Sequence, residues 1–270
     1  MLADEIFSTR TAEHGLAIWW LGQSGFVVKS RKGTLVIDPY LSDSLTRKYA
    51  DTARPHIRMT GRPVAPEDLG GVNLVLCSHK HTDHMDGETL RPLLEANPDA
   101  VVGLPAALGE HAASIGIAAA RQLLLDVGEP LEHAGFRVRP VPAAHEQFDR
   151  DEHGRHRQMG FIVECGGLGL YHSGDSVVFD GLVDELPAML DVMFLPINGR
   201  DPARGVAGNM SAAEAIDLAQ LVRPRFVVPH HYDMFTFNTV PVSLFESEAR
   251  RLPAGVQPRV LRCGQRWEVS

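Results

Sequence analysis

VNLVLC (residues 72–77) leads without a break into SHKHTDH (residues 78–84), and this junction decides how the chain is read. The first segment is a continuous apolar run of strand length, the pattern of a buried strand. The second packs three imidazoles, His79, His81 and His84, and one carboxylate, Asp83, into six residues. Imidazole and carboxylate together suit zinc, manganese or iron. His79, His81 and Asp83 are spaced by two while His84 breaks that phase, so one continuous strand cannot aim all four side chains to one side. A loop at a strand end can, and Gly87 eases the turn into the next helix.

An isolated H-x-H is more often a surface loop that binds metal adventitiously. The full H-x-H-x-D-H behind a buried strand reverses that balance. Four ligands are too many for one tetrahedral ion and too few for two, so others are expected from elsewhere. His145 follows RVRPVPAA, Asp175 lies in YHSGDS, and His230 and His231 follow RFVVP. Taken singly, His145 and His231 read as ordinary polar or core histidines as readily as ligands, and Asp175 in its Gly-Asp-Ser turn reads first as a turn residue. Each also ends a β-rich run, which is how one edge of a sheet sandwich gathers a site, and together with the loop they complete two coordination shells.

Working outward, Ala17 to Leu21, Gly25 to Lys29 and Thr34 to Ile37 predict an antiparallel meander, and Tyr40 to Gly71 an irregular excursion. Helices are expected over Glu88 to Ala96 and over Pro105 to Ile115, the latter with proline in its first turn. Strands follow at Phe136 to Val141, Gly160 to Cys165, Leu168 to His172, Val192 to Ile197 and Arg225 to Val228. Ser211 with Glu214 has capping-box spacing ahead of a helix over Ala215 to Leu221, and Ser243 with Glu246 repeats it. Val260 to Val269 is expected to close a sheet. The charged stretch Asp149 to Arg157 reads as a solvated hairpin. Strands, helices, strands and helices in this order suggest two β-plus-α halves with their sheets face to face, within one domain over residues 1–270.

The chain carries 34 acidic against 26 Lys and Arg residues and no dense basic run, which argues against nucleic acid as a partner. Its three cysteines, Cys77, Cys165 and Cys263, form no C-x-x-C pair, so a reducing compartment fits best. No signal peptide or membrane span is read, and the expected location is cytoplasmic. The expected partner is a small molecule, with an anionic group and a homo-oligomer both left open.

The segments LGQSGFVV, LVIDPYLSDS, LCSHKHTDHMD, PAAH, YHSGDS, FLPINGRD, GNMSAAEA and VVPHHYDMF span nearly the whole chain. Together they resemble the metallo-β-lactamase superfamily, and within it the branch containing ascorbate-6-phosphate lactonase. The resemblance implies an α/β fold, a four-layer αβ/βα sandwich of two mixed sheets packed face to face with helices outside. It implies two divalent ions, zinc or manganese with iron open: His79, His81 and His145 on one, Asp83, His84 and His231 on the other, Asp175 bridging. His230 matches the superfamily's last histidine less closely.

Two such ions lower the pKa of a shared water toward ~7 and polarise the bond to be cleaved, so hydrolysis is the expected reaction. Asp83 is the expected catalytic residue, holding and orienting the hydroxide. Asp38, at a strand end, is a candidate support for a histidine tautomer, and a turn carboxylate before Pro39 otherwise. Asn198, Arg200 and Asn209, with His230, are candidate substrate contacts. A lactone or other cyclic ester is the first expectation and a phosphodiester the second. A di-iron redox protein is less expected, because the resembling di-iron family has Glu where this chain has His81. A non-catalytic metal-binding module is the remaining alternative.

Overall fold

The computed structural model describes residues 1–270. The first sheet starts with the antiparallel meander β1 (Leu16–Gly22), β2 (Gly25–Lys29) and β3 (Thr34–Ile37), then adds parallel strands β4 (Leu74–Leu76), β5 (Val101–Pro105) and β6 (Gln122–Leu125). The second begins with the antiparallel run β7 (Leu131–His133), β8 (Phe136–Pro142), β9 (Met159–Cys165) and β10 (Leu168–His172). It adds parallel strands β11 (Val192–Pro196), β12 (Phe226–His230) and β13 (Gln257–Pro258). The last strand, β14 (Arg266–Val269), returns to pair antiparallel with β1 and closes the outer edge of the first sheet. Each sheet is therefore half antiparallel and half parallel, as a mixed sheet should be.

β1 explains the layering. Its burial is unbroken, yet its side chains alternate between two cores. Ile18 and Trp20 join Phe26, Val28, Phe161, Val163 and Phe194 between the sheets. Ala17, Trp19 and Leu21 face the other way, into a core completed by Leu90, Leu93 and Leu94 of the helix Gly87–Ala96 and by Ile6. Ala215, Ile216 and Ala219 of the helix over Ala212–Val222 cover the second sheet in the same manner. Two sheets face to face with helices outside give the four-layer α/β sandwich.

Two sequence expectations need correction. Val101–Pro105 is a strand, and only Gly109–Ser114 of the expected Pro105 to Ile115 helix is α-helical. Val101 to Leu104 is an apolar run short enough to be either, and pairing with β4 in register Leu74↔Val101 satisfies its backbone. The last helix starts at Val242 after Pro241, with no side-chain cap, so Ser243 lies inside it. The Ser211–Glu214 capping box is present as expected, and Asp149 to Arg157 turns back on itself through an Arg150–His156 bridge. No helix is long and apolar enough to cross a membrane.

Candidate metal centre

The parallel strands of both sheets run their carboxyl ends to one edge, where mixed α/β sheets place their ligands. β3 delivers Asp38, β4 delivers Ser78 and His79, β10 leads to Asp175, and β12 ends on His230 with His231 next. Three non-glycine residues here hold positive φ: Gln23 (50°), Asp38 (43°) and His231 (60°). Such strain persists where surrounding contacts over-determine it and tends to collect at functional sites. At His231 the turn separates the two adjacent histidines: its N–H donates to the Gln23 carbonyl at 3.0 Å and it faces the site. His230 instead continues the strand into the core between the sheets.

The structure brings all seven expected ligands together. Three groups have ligand atoms within 4.8 Å of one another: His79, His81 and His145; Asp83, His84 and His231; and His79, His84 and Asp175. Asp175 lies between the first two groups. Its Oδ1 is 3.2 Å from His84 Nε2, while Oδ2 is 3.1 Å from His231 Nε2 and 3.7 Å from His145 Nε2. Asp83 Oδ2 is 3.7 Å from His231 Nε2 and 3.9 Å from His84 Nε2.

The tautomers are set from behind. Asp38, fully buried, accepts hydrogen bonds from the Ser78 N–H (2.7 Å), the Ser78 hydroxyl (2.6 Å) and His84 Nδ1 (2.7 Å). The Ser78 hydroxyl proton is thus committed to Asp38, so its oxygen accepts from His79 Nδ1 at 3.0 Å. His145 Nδ1 donates to the Gly208 carbonyl at 2.9 Å. In all three rings Nδ1 carries a proton, which turns Nε2 toward the site.

These atoms fit divalent ions. His79 Nε2, His84 Nε2 and Asp175 Oδ1 are buried and make no hydrogen bond, even though the last two are 3.2 Å apart. Close approach without hydrogen-bond alignment is the arrangement of two ligands aimed at a common ion rather than at each other. Charge points the same way. Burial alone would push His84 down, yet the carboxylates of Asp175, Asp38 and Asp83 outweigh it and hold its pKa well above the ordinary imidazole value. Buried acids that force a proton onto a histidine are a site short of positive charge. His79, by contrast, is driven well down by burial and then by its neighbouring histidines, so it is neutral and able to donate its lone pair.

Gln23 was not singled out in the sequence, although LGQSG contains it. It is buried, and its Nε2 donates to Asp83 Oδ2 at 2.7 Å. A glutamine in a strand-to-strand turn carries no signal of this from spacing alone. The cleft above the centre, about 430 Å³, is walled by Tyr49, His56 and Phe237, which were likewise not anticipated.

The four expected substrate contacts lie elsewhere. None of Asn198, Arg200, Asn209 or His230 lines the cleft. Asn209 Nδ2 donates to Asn198 Oδ1 at 3.0 Å, Asn198 Nδ2 donates to Asn238 Oδ1 at 3.1 Å, and Arg200 pairs with Glu214. They brace the loop after β11. His230 is buried against Ser24, its Nδ1 3.0 Å from the hydroxyl, and its ring stacks on His172 at 4.8 Å.

Residues 34–232 match the family model described as a beta-lactamase superfamily domain. A UPF0173 metal-dependent hydrolase from Opitutus terrae is 30% identical over 258 residues, covering 94% of this chain and 100% of the relative. Igni18, a metallo hydrolase from Ignicoccus hospitalis, shares the fold with a TM-score of 0.68 at 22% identity, over 95% of this chain and 99% of that one. CmlA, a diiron β-hydroxylase from Streptomyces venezuelae, shares it with a TM-score of 0.67 at 16% identity, over 96% of this chain and 54% of that one. The chain belongs to the beta-lactamase superfamily and, within it, to the family of UPF0173 metal-dependent hydrolases.

Proposed function

We propose that the chain is a metal-dependent hydrolase that opens a lactone or other small-molecule ester. In this reading His79, His81 and His145 would hold one zinc or manganese ion and Asp83, His84 and His231 a second, with Asp175 available as a further ligand. The observation that carries it is the convergence on the Asp175 carboxylate of the Nε2 atoms of His79, His84 and His145, each ring held through its Nδ1. Bound there, such ions would supply Lewis acidity and lower the pKa of a water.

The chain's own residues do the remainder. Gln23 holds one oxygen of Asp83, fixing the carboxylate's orientation as proton acceptor for the attacking water. Asp38, Ser78 and the Gly208 carbonyl hold the His84, His79 and His145 rings through Nδ1, so that each Nε2 faces the site. The cleft is of a size that takes a small molecule. The choice of a lactone rests on the motifs shared with the ascorbate-6-phosphate lactonase branch. Lys48 and Lys80 at the cleft favour a phosphodiester as the second reading.

The test is metal analysis of the purified protein, followed by turnover of lactones, aryl esters, phosphodiesters, β-lactams and thioesters after loading with zinc or manganese separately. Ester or lactone hydrolysis abolished by a chelator is the expected result. Iron content with oxygen consumption and no hydrolysis would overturn the reading.

A further inference from the structure

Three cations surround the cleft without partners. Lys48 and Lys80 line the cleft itself. Arg54 lines a neighbouring cavity of about 400 Å³ that shares Tyr49, His56, Val206 and Phe237 with it. Arg47, one residue before Lys48, pairs with Glu88, whereas Lys48 Nζ has only the Tyr49 ring, 5.1 Å away. Apart from Asp83 and Asp175, every aspartate, glutamate, lysine or arginine lining either cavity is cationic, in a chain of net charge −8. With Asp83 and Asp175 offset by the divalent ions they would hold, cations left without partners at a low-dielectric cleft focus a positive potential there, against the protein's overall charge.

Beside them stands a rigid apolar wall. Tyr49 and His56 stack with centroids 4.1 Å apart and planes at 15°, and Phe237 packs on His56 at 4.3 Å. His56 Nδ1 donates to the Arg54 carbonyl at 3.1 Å, which locks the ring. Such a surface suits a planar apolar group.

We propose that the substrate is an anionic ester with a planar apolar body, its carboxylate or phosphate held by Lys48 and Lys80 and its body packed on the Tyr49–His56–Phe237 wall. The scissile bond in this assignment rests on the hydrolase reading above; the subsite for the anion and ring is measurable without turnover. Lysine ammonium groups select charge rather than a particular anion geometry, so carboxylate and phosphate are both admitted and the experiment separates them.

The experiment is calorimetric binding to the zinc-loaded protein of 2-naphthoate, 2-naphthyl phosphonate and neutral 2-naphthamide, at low and high salt. We expect at least one anion to bind about tenfold or more tightly than the amide, the scale of a charge-assisted contact. The better anion identifies the group, and the preference should shrink with salt. It should fall several-fold in Lys48→Ala and further in the double variant with Lys80→Ala, at unchanged zinc content. If Lys80→Ala alters zinc content, Lys48→Ala decides alone, since Lys48 lies in the helix Ser44–Lys48 outside the ligand loop. Phe237→Ala should weaken naphthoate more than acetate. Equal binding of amide and anions, or a preference untouched by Lys48→Ala, would overturn the proposal. Preference without turnover of any ester would instead sink the hydrolase reading and leave the subsite standing.

Discussion

Asp38 Oδ2 lies 2.7 Å from Nδ1 of His84, and both side chains are fully buried. The same carboxylate takes the Ser78 N–H and hydroxyl, so one strained residue at a strand end orders both the histidine loop and two of its tautomers. Removing it should cost metal affinity before it costs fold. Asp38→Ala is expected to weaken zinc binding by about 10- to 100-fold, the range for groups that orient metal ligands. Competition with a chromogenic chelator measures this, and wild-type affinity would exclude the orienting role.

Asp83 should matter for rate more than for folding. Asp83→Asn keeps the shape but removes the charge and the capacity to accept a proton. Its hydrogen bond from Gln23 also loses its charged acceptor. With His79, His81 and His145 intact, the variant should fold, retain roughly one metal, and lose on the order of a hundredfold in turnover. Metal content and kcat, measured on the same preparation, decide the matter; full activity at full occupancy is incompatible with the assignment.

Without metal, stability should peak near neutrality. Burial lowers the pKa of His79, His81, His172 and His230 from the ordinary 6.5. Below 6.5 the unfolded chain therefore binds protons that the folded chain refuses, and stability falls with acid. His84 and His231 go the other way: burial lowers them, but neighbouring carboxylates, Asp175 first, outweigh it and raise them. Their contribution is complete below 6.5 and is lost as pH rises through the raised folded values. Thermal melts of chelated protein from acid to alkaline pH should show a maximum close to 6.5. A melting temperature still climbing well above neutrality would contradict the roles given to His84 and His231.

Gly174 should tolerate no side chain. It sits at φ 59°, and a Cβ there would stand 2.8 Å from Ser78 Cβ and 3.0 Å from the Met159 carbonyl oxygen. Gly174→Ala is expected to destabilise the protein by roughly 2 kcal/mol, in the range for strain and close contact combined. It should also weaken metal binding, because the displaced neighbours are Asp175 and the Ser78–His79 loop. Denaturant unfolding with and without zinc separates the two effects.

The amino-acid sequence alone carried the chemistry of the centre and most of the strands. H-x-H-x-D-H behind an apolar run is legible because spacing by two and its break at His84 are local facts, and the meander to Ile37 follows from short apolar runs rich in β-branched and aromatic residues with turn residues between. What lay beyond reach was set by non-local geometry. Val101–Pro105 became a strand because β4 offered it a parallel edge. His230 and His231, chemically identical neighbours, were divided by one left-handed backbone turn, which no composition or spacing encodes. Asn198, Arg200 and Asn209 found partners in one another, in Asn238 and in Glu214 instead of facing a ligand. Gln23, His56 and Phe237, scattered across 215 residues, met at one edge. Residue type and local spacing determine which atoms can bind a metal, while only the packing of two sheets determines which side chains share the cavity above it.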